Sequence, residues 1–168
     1  MDPLTFVALV AHCAPQVDIA TAYALVAAES GFNANAIGVV AGSLQRQPRS
    51  LAEALPTARR LQTEGWNYSV GLAQINVRNF ERLGLTAQSA FDPCVNLTAM
   101  QVILTDCYDR AARHGTGPQH SLRRALSCYY SGNFVTGFQH GYVSRVARSV
   151  PAAADRPPSA PSQPKESS

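Results

Sequence analysis

The sequence predicts an α+β, predominantly α-helical domain with one small β excursion, and three observations carry that prediction. Apolar residues recur at helical spacing through most of the chain. Asp18, Ser50 and the pair Asp92–Pro93 supply helix-starting chemistry at the right offsets. Two short stretches, residues 36–47 and 67–76, carry the β-branched residues and glycines that do not suit a helix. The 168 residues, 46% hydrophobic and 15% charged, suit one globular domain over residues 1–150. Residues 151–168, "PAAADRPPSAPSQPKESS", read as a disordered Pro/Ala/Ser-rich tail.

The elements follow in order. Residues 4–14, "LTFVALVAHCA", resemble the apolar region of a signal peptide, but Asp2 stands where that segment would be basic. An amphipathic first helix explains the stretch at least as well. Asp18 caps a helix through Glu29, with Ile19, Ala22, Tyr23, Val26 and Ala27 on one face, and Gly31 stops it. "AIGVVAGSLQRQ", residues 36–47, predicts a short hairpin. Ser50 and Glu53 form an S-x-x-E capping box for a helix reaching about Glu64, with Pro56 predicting a kink or a late start. "NYSVGLAQIN", residues 67–76, predicts a strand or extended turn leading into a short helix with Val77, Phe80 and Leu83 inward. Asp92–Pro93 opens a long helix to about Arg113, burying Leu97, Met100, Ile103, Leu104 and Tyr108. Ser121 caps another, ending at Gly132, and a last short helix carries Tyr142, Val143 and Val146. There are no internal repeats.

Composition also limits the partners. The net charge is +3, and no basic run exceeds the pairs Arg59–Arg60 and Arg123–Arg124, so a solvated surface fits better than a nucleic-acid site. No apolar run approaches the ~20 residues of a membrane span. Cys13, Cys94, Cys107 and Cys128 have neither CxxC nor Cys/His spacing, so no zinc site is expected. They allow two disulfides in any of three connectivities, or four buried thiols.

The chemistry centres on "AYALVAAESGFNANA", residues 22–36, where an apolar helix ends on the carboxylate of Glu29. A carboxylate there faces the negative end of the helix dipole, and apolar neighbours such as Val26 and Phe32 desolvate it. Both effects raise its pKa towards that of a general acid. The nearest cation in sequence is Arg46, and a solvent-facing helix end is the simpler alternative. "GLAQIN", residues 71–76, suits a backbone-lined groove with amides offered to a polar ligand. "SCYYSGN", residues 127–133, ends a helix with adjacent tyrosines whose hydroxyls and ring faces suit sugars. Read singly, these are also a strand-to-turn connection and a core helix end.

In this order, E-S-G-F, G-L-x-Q-I-N and Y-x-S-G resemble the soluble lytic transglycosylase domain, a lysozyme-like fold that cleaves peptidoglycan. The resemblance runs from about residue 5 to residue 148. "ESGFNANAIGVVAG", "GWNYSVGLAQIN", "FDPC" and "SCYYSGNF" look like the subgroup found in type IV secretion systems. By position, the resemblance makes Glu29 the single catalytic acid and Tyr129 the tyrosine whose hydroxyl approaches it, directly or through one water. Ser30 matches the serine that supports the site, and Gly71, Leu72, Gln74 and Asn76 match the substrate groove, with Tyr130 as a further sugar contact. Ala73 replaces the methionine often found in the groove motif, and Tyr130 replaces an asparagine. The 41-residue step from Glu29 to Val70 is long for the general family and suits the subgroup.

The resemblance implies cleavage of the bond between N-acetylmuramic acid and N-acetylglucosamine with formation of a 1,6-anhydro sugar, and no metal or organic cofactor. A muramidase that uses water on the same fold would need a second carboxylate, for which Glu53, Glu64 and Asp92 are the candidates. A peptidoglycan-binding assembly factor is the non-enzymatic alternative. The implied partners are peptidoglycan glycan strands and components of a type IV secretion system, with no nucleic acid and no membrane span. The implied compartment is the periplasm, whose oxidising conditions favour disulfides over thiols.

Overall fold

Helices begin where the capping residues put them. The structure, a computed structural model, describes residues 1–115 and 117–151, so the expected tail lies, from residue 152 on, outside the described residues. Asp2 caps α1 (Pro3–Cys13) by accepting from the Thr5 amide at 3.0 Å. Asp18 caps α2 (Ile19–Ser30) through the Thr21 amide at 3.1 Å. Gly31 ends α2 with φ at 57°, a left-handed conformation that costs glycine no side-chain clash. Asp92 caps α5 (Pro93–Ala112) through the Val95 amide at 2.9 Å, with the proline in the first turn where no donor is needed. Residues 4–14 thus belong to an integral helix, with Phe6, Val10 and Cys13 buried.

Ser50 caps α3 (Leu51–Thr63) as expected, but only half of the capping box forms. The Glu53 carboxylate turns to Arg46 at 2.6 Å and to the Arg49 amide at 3.1 Å instead of its own cap. The helix continues through Pro56. A proline forfeits one ladder bond there, near an exposed N-terminus where the loss is smallest. The helix expected to start at Ser121 begins earlier, as α6 (Pro118–Ser131), with Ser121 buried inside it. Proline at the first helical position was the signal that outranked the serine.

The sheet corrects the other expectation. Residues 36–47 form no hairpin; they contribute only β1 (Ile37–Val39). The hairpin is made by β2 (Tyr68–Val70) and β3 (Ile75–Asn76), joined by the four residues Gly71–Gln74, and β1 pairs antiparallel with β2. Strand alternation decides the faces: Tyr68, Val70 and Ile75 enter the core while Asn67, Ser69 and Asn76 face out. The short helix α4 (Phe80–Leu83) follows a 3-10 turn, with Phe80 buried and Val77 and Leu83 half-buried.

The long α5 runs through the centre, and its Leu97, Met100, Ile103 and Leu104 are buried. Tyr108 is only partly buried, at the flank of that stripe. The helix α5 packs mainly on α6. Two short helices complete the fold: α7 (Thr136–Gln139), not anticipated in the sequence, and α8 (Tyr142–Arg148). Gly137 lets α7 close on α6, since a Cβ there would lie 2.6 Å from the Ser127 Cα.

The cysteines form Cys13–Cys94 and Cys107–Cys128, leaving none free. The first ties α1 to α5 across a sequence separation of 81 residues, and the second ties α5 to α6 across 21. On loop-closure entropy the two cross-links are worth about 4 and about 3 kcal/mol respectively. Urea unfolding of Cys13→Ser/Cys94→Ser should therefore show a larger stability loss than that of Cys107→Ser/Cys128→Ser. A reversed order would show that native packing, rather than chain entropy, sets the difference.

Candidate active site

Glu29 sits in the last turn of α2 and opens onto a groove of about 580 Å³ between the sheet and the end of α6. Asn67, Ser69, Gln74 and Asn76 line it from the sheet, and Tyr129 and Tyr130 from α6. Three of these follow from strand alternation, which turns Asn67, Ser69 and Asn76 to the same side. Their side chains are joined there: the Asn76 amide donates to Asn67 Oδ1 at 2.9 Å and to Ser69 Oγ at 3.2 Å. Such a wall of amides and hydroxyls suits a polar, uncharged ligand.

The turn between the strands is fixed from below. Asn96 of α5 is wholly buried, and its side chain accepts from the Ala73 amide at 2.8 Å. It donates to the carbonyls of Val70 at 3.0 Å and Ala90 at 2.7 Å. Gly71 has to be glycine: its φ is 80°, and a Cβ would stand 2.2 Å from the Asn96 amide nitrogen. Gln74, with φ at 49°, donates from its side chain to the carbonyls of Ala36 and Gly71 at 3.1 and 3.0 Å. Its Oε1 covers Gly38, where a Cβ would come within 2.7 Å of it. Leu72 is a core side chain.

Glu29 is partly buried, and its Oε1 accepts from the Tyr142 hydroxyl at 2.6 Å. The direct contact is thus made by Tyr142, where the resemblance led to Tyr129. Tyr129 lines the groove, but its hydroxyl donates to the Ala73 carbonyl at 2.7 Å. Tyr130 does not fill the place either; its hydroxyl meets His140 Nδ1 at 3.3 Å. Burial pushes the Glu29 carboxyl up to about 7, against the Tyr142 hydrogen bond and the charge of Arg145, which both pull it down. Arg145, not Arg46, is thus the cation that acts on it; Arg46 pairs with Glu53. Burial, with the nearby Glu29, holds both Tyr129 and Tyr142 well above the usual phenol range, so both stay neutral.

Of the residues singled out in the sequence, the groove gathers Glu29, Gln74, Asn76, Tyr129 and Tyr130. Ser30 is not among its walls: its hydroxyl bonds back to the Val26 carbonyl at 3.3 Å. Gly71 and Leu72 hold the groove's turn from behind. Sequence reasoning missed Asn96 and Tyr142. An asparagine among the apolar positions of α5 was a usable signal, whereas Tyr142 read as an ordinary core aromatic.

Helices around a three-stranded sheet, with one poised carboxyl at a helix end, place the chain in the lysozyme-like class. More narrowly, the chain belongs to the family described as the transglycosylase SLT domain, which it matches over residues 6–149. It is 49% identical over 151 residues to the type IV secretion system protein VirB1 of Brucella suis biovar 1 (strain 1330), covering 86% of this chain and 63% of the relative. The same figures hold for the Brucella abortus (strain 2308) protein of that name. It is 36% identical to the protein VirB1 of Agrobacterium tumefaciens (strain 15955), covering 87% of this chain and 62% of the relative. The chain therefore spans less than two thirds of these relatives. No solved structure gives a significant match.

Two outcomes follow for stability. Asn96→Ala removes the partner of three buried backbone groups and should cost about 3 kcal/mol or more in denaturant unfolding; a loss under about 1 kcal/mol would show that the turn holds itself. Burial raises the Glu29 carboxyl to about 7 in the folded protein, against an ordinary 4.5. Its folded state is thus favoured most below about pH 4.5, and that advantage is lost as pH rises through about 7. Glu29→Gln should accordingly be more stable than the wild type at pH 8, by about 1–3 kcal/mol, with the difference vanishing near pH 4. A constant difference across that range would show that Glu29 does not titrate abnormally.

Proposed function

We propose that the protein is a peptidoglycan lytic transglycosylase that opens the wall locally for a type IV secretion system. One observation carries the reading: Glu29 is the single carboxyl lining the groove among the described residues, and it is half protonated near neutral pH. A two-carboxylate glycosidase would need a partner acid across the bond. Each candidate partner is engaged elsewhere. Glu53 is bound to Arg46, Glu64 accepts from the Trp66 indole at 3.0 Å, and Asp92 caps α5. One carboxyl is enough if the nucleophile is already part of the substrate.

The chemistry then needs only Glu29. Its proton passes to the glycosidic oxygen, the bond to the muramic C1 breaks, and the N-acetylglucosamine leaves with a free C4 hydroxyl. The positive charge at C1 is met by the sugar's own N-acetyl group. Glu29, now a carboxylate steadied by the Tyr142 hydroxyl, takes the proton of the muramic C6 hydroxyl while that oxygen bonds to C1. The acid is regenerated, a 1,6-anhydro sugar is formed and no water is consumed. Gln74, Asn76, Tyr129 and Tyr130 face the sugars. Exposed Arg78, also on the groove, suits a polymer that carries carboxylates on its peptide stems.

The printed names of the relatives support the secretion-system role, and two disulfides support the periplasm as the compartment. No helix among the described residues is long and apolar enough to cross a membrane.

Digestion of purified peptidoglycan should yield muropeptides that lack the mass of one water relative to hydrolytic products. Glu29→Gln should fold and lose at least ~100-fold in rate. Wild-type turnover should fall as pH rises through about 7, because the acid form is the one that starts the reaction. Products carrying the added water would replace this reading with that of a muramidase. Intact secretion with Glu29→Gln would favour the assembly-factor role.

A further inference from the structure

We infer that Tyr130 is a positioning residue: its ring, stacked on Tyr142, holds that tyrosine's hydroxyl on Glu29. The inference rests on Glu29 being the acid.

The geometry is a layered stack. The rings of Tyr130 and Tyr142 lie 4.6 Å apart with an interplanar angle of 18°. On Tyr142, the Arg145 guanidinium lies 5.2 Å from the ring centroid. On Tyr130, the His140 ring packs edge-on at 5.9 Å, and its Nδ1 meets the Tyr130 hydroxyl at 3.3 Å. Tyr142 itself is wholly buried, while Tyr130 is 43% exposed and forms part of the groove wall. Tyr130 therefore covers the ring that carries the hydrogen bond to Glu29.

The elements that meet here explain the need for such a cover. Tyr130 comes from the last turn of α6 and Tyr142 is the first residue of α8, with Gly132 and Gly141 turning the chain between them. The first turn of α8 has no side-chain cap, so the place of the Tyr142 ring is set by what packs on it, Tyr130 and Arg145 among them. A planar partner of low rotamer freedom supplies that restraint at little entropic cost. The titratable groups facing Glu29 are Tyr142 and Arg145 of α8 and Tyr129 of α6; His140 acts through Tyr130. The sheet side offers the uncharged amides already described. Displacing Tyr142 would admit water to the carboxyl and remove the burial that keeps it protonated near neutral pH.

The test compares Tyr130→Asn and Tyr130→Leu with Tyr130→Phe, which keeps the stack and loses only the hydroxyl. In muropeptide release, Tyr130→Asn and Tyr130→Leu should lower kcat at least ~10-fold, a larger change than in KM. The fall in rate with rising pH should move to lower pH. Tyr130→Phe should restore most of that loss. Carbon-13 NMR titration of the Glu29 carboxyl, which needs no turnover, should show a lower pKa in the Asn and Leu variants than in wild type and Phe. A raised KM with unchanged kcat, pH profile and Glu29 titration would overturn the inference and leave Tyr130 as a sugar contact alone. If Phe behaved like Asn, the bond to His140 rather than the stack would be the restraint, which also overturns it. An inactive wild type with the titration difference intact would sink the proposed activity and spare the positioning role.

Discussion

The backbone of one residue, Ala73, ties the groove to the helical frame. The Ala73 amide is held by Asn96 from α5, and its carbonyl by the Tyr129 hydroxyl from α6. A hairpin this short is marginal alone; what makes it rigid is a buried asparagine that satisfies three backbone groups of its surroundings. The close approach that this requires is why residue 71 carries no side chain. From that anchor the wall of Ser69, Asn76 and Asn67 projects by strand alternation, without further support from loops. Buried networks of this kind are useful only when fully satisfied, because a single missing partner leaves unpaired dipoles in a dry interior.

Much of this was legible in the sequence wherever local chemistry decides structure. Asp18, Ser50 and Asp92 cap helices through side-chain oxygens placed a fixed number of residues from the donor, and a reader can count that spacing. Glu29 was legible for a similar reason, since a helix end and its apolar neighbours are both local. What was not legible depended on contacts across the chain. Residues 36–47 look like a hairpin because their β-branched residues satisfy a local pattern, yet Ile37–Val39 pairs with a strand about thirty residues later. The Glu53 carboxylate left its own cap for the charged guanidinium of Arg46 and the Arg49 amide together.

The tyrosine exchange is the instructive case. Tyr142 is buried and Tyr129 half-buried; both lie close to Glu29 and feel its charge. Position in a motif selected Tyr129, because the motif lies at a helix end that reaches the groove. The hydroxyl's actual partner was set by where α8 lands on α2, a long-range docking that no spacing encodes. The family pattern led to residues that line the groove with Glu29, and tertiary packing chose which hydroxyl meets its carboxyl.

In the proposed reaction, the placement of Arg145 leaves Glu29 usable as the acid. A guanidinium in direct contact with a carboxylate would lower its pKa by about 1–3 units and leave it ionised at neutral pH. Here the cation lies over the Tyr142 ring, and among the described residues Glu29 makes no ion pair. Its charge thus reaches the carboxyl only weakly, and burial remains the dominant influence. The ring that the cation lies over delivers a neutral donor to the carboxyl. Because Tyr142 is held far above its ordinary pKa, it stays a hydroxyl whichever state Glu29 is in. A rotating hydroxyl can donate to the carboxylate and accept from the acid, so one contact serves both halves of a proton cycle. Separating the stabilising dipole from the stabilising charge allows a carboxyl to give up a proton and take one back at the same pH.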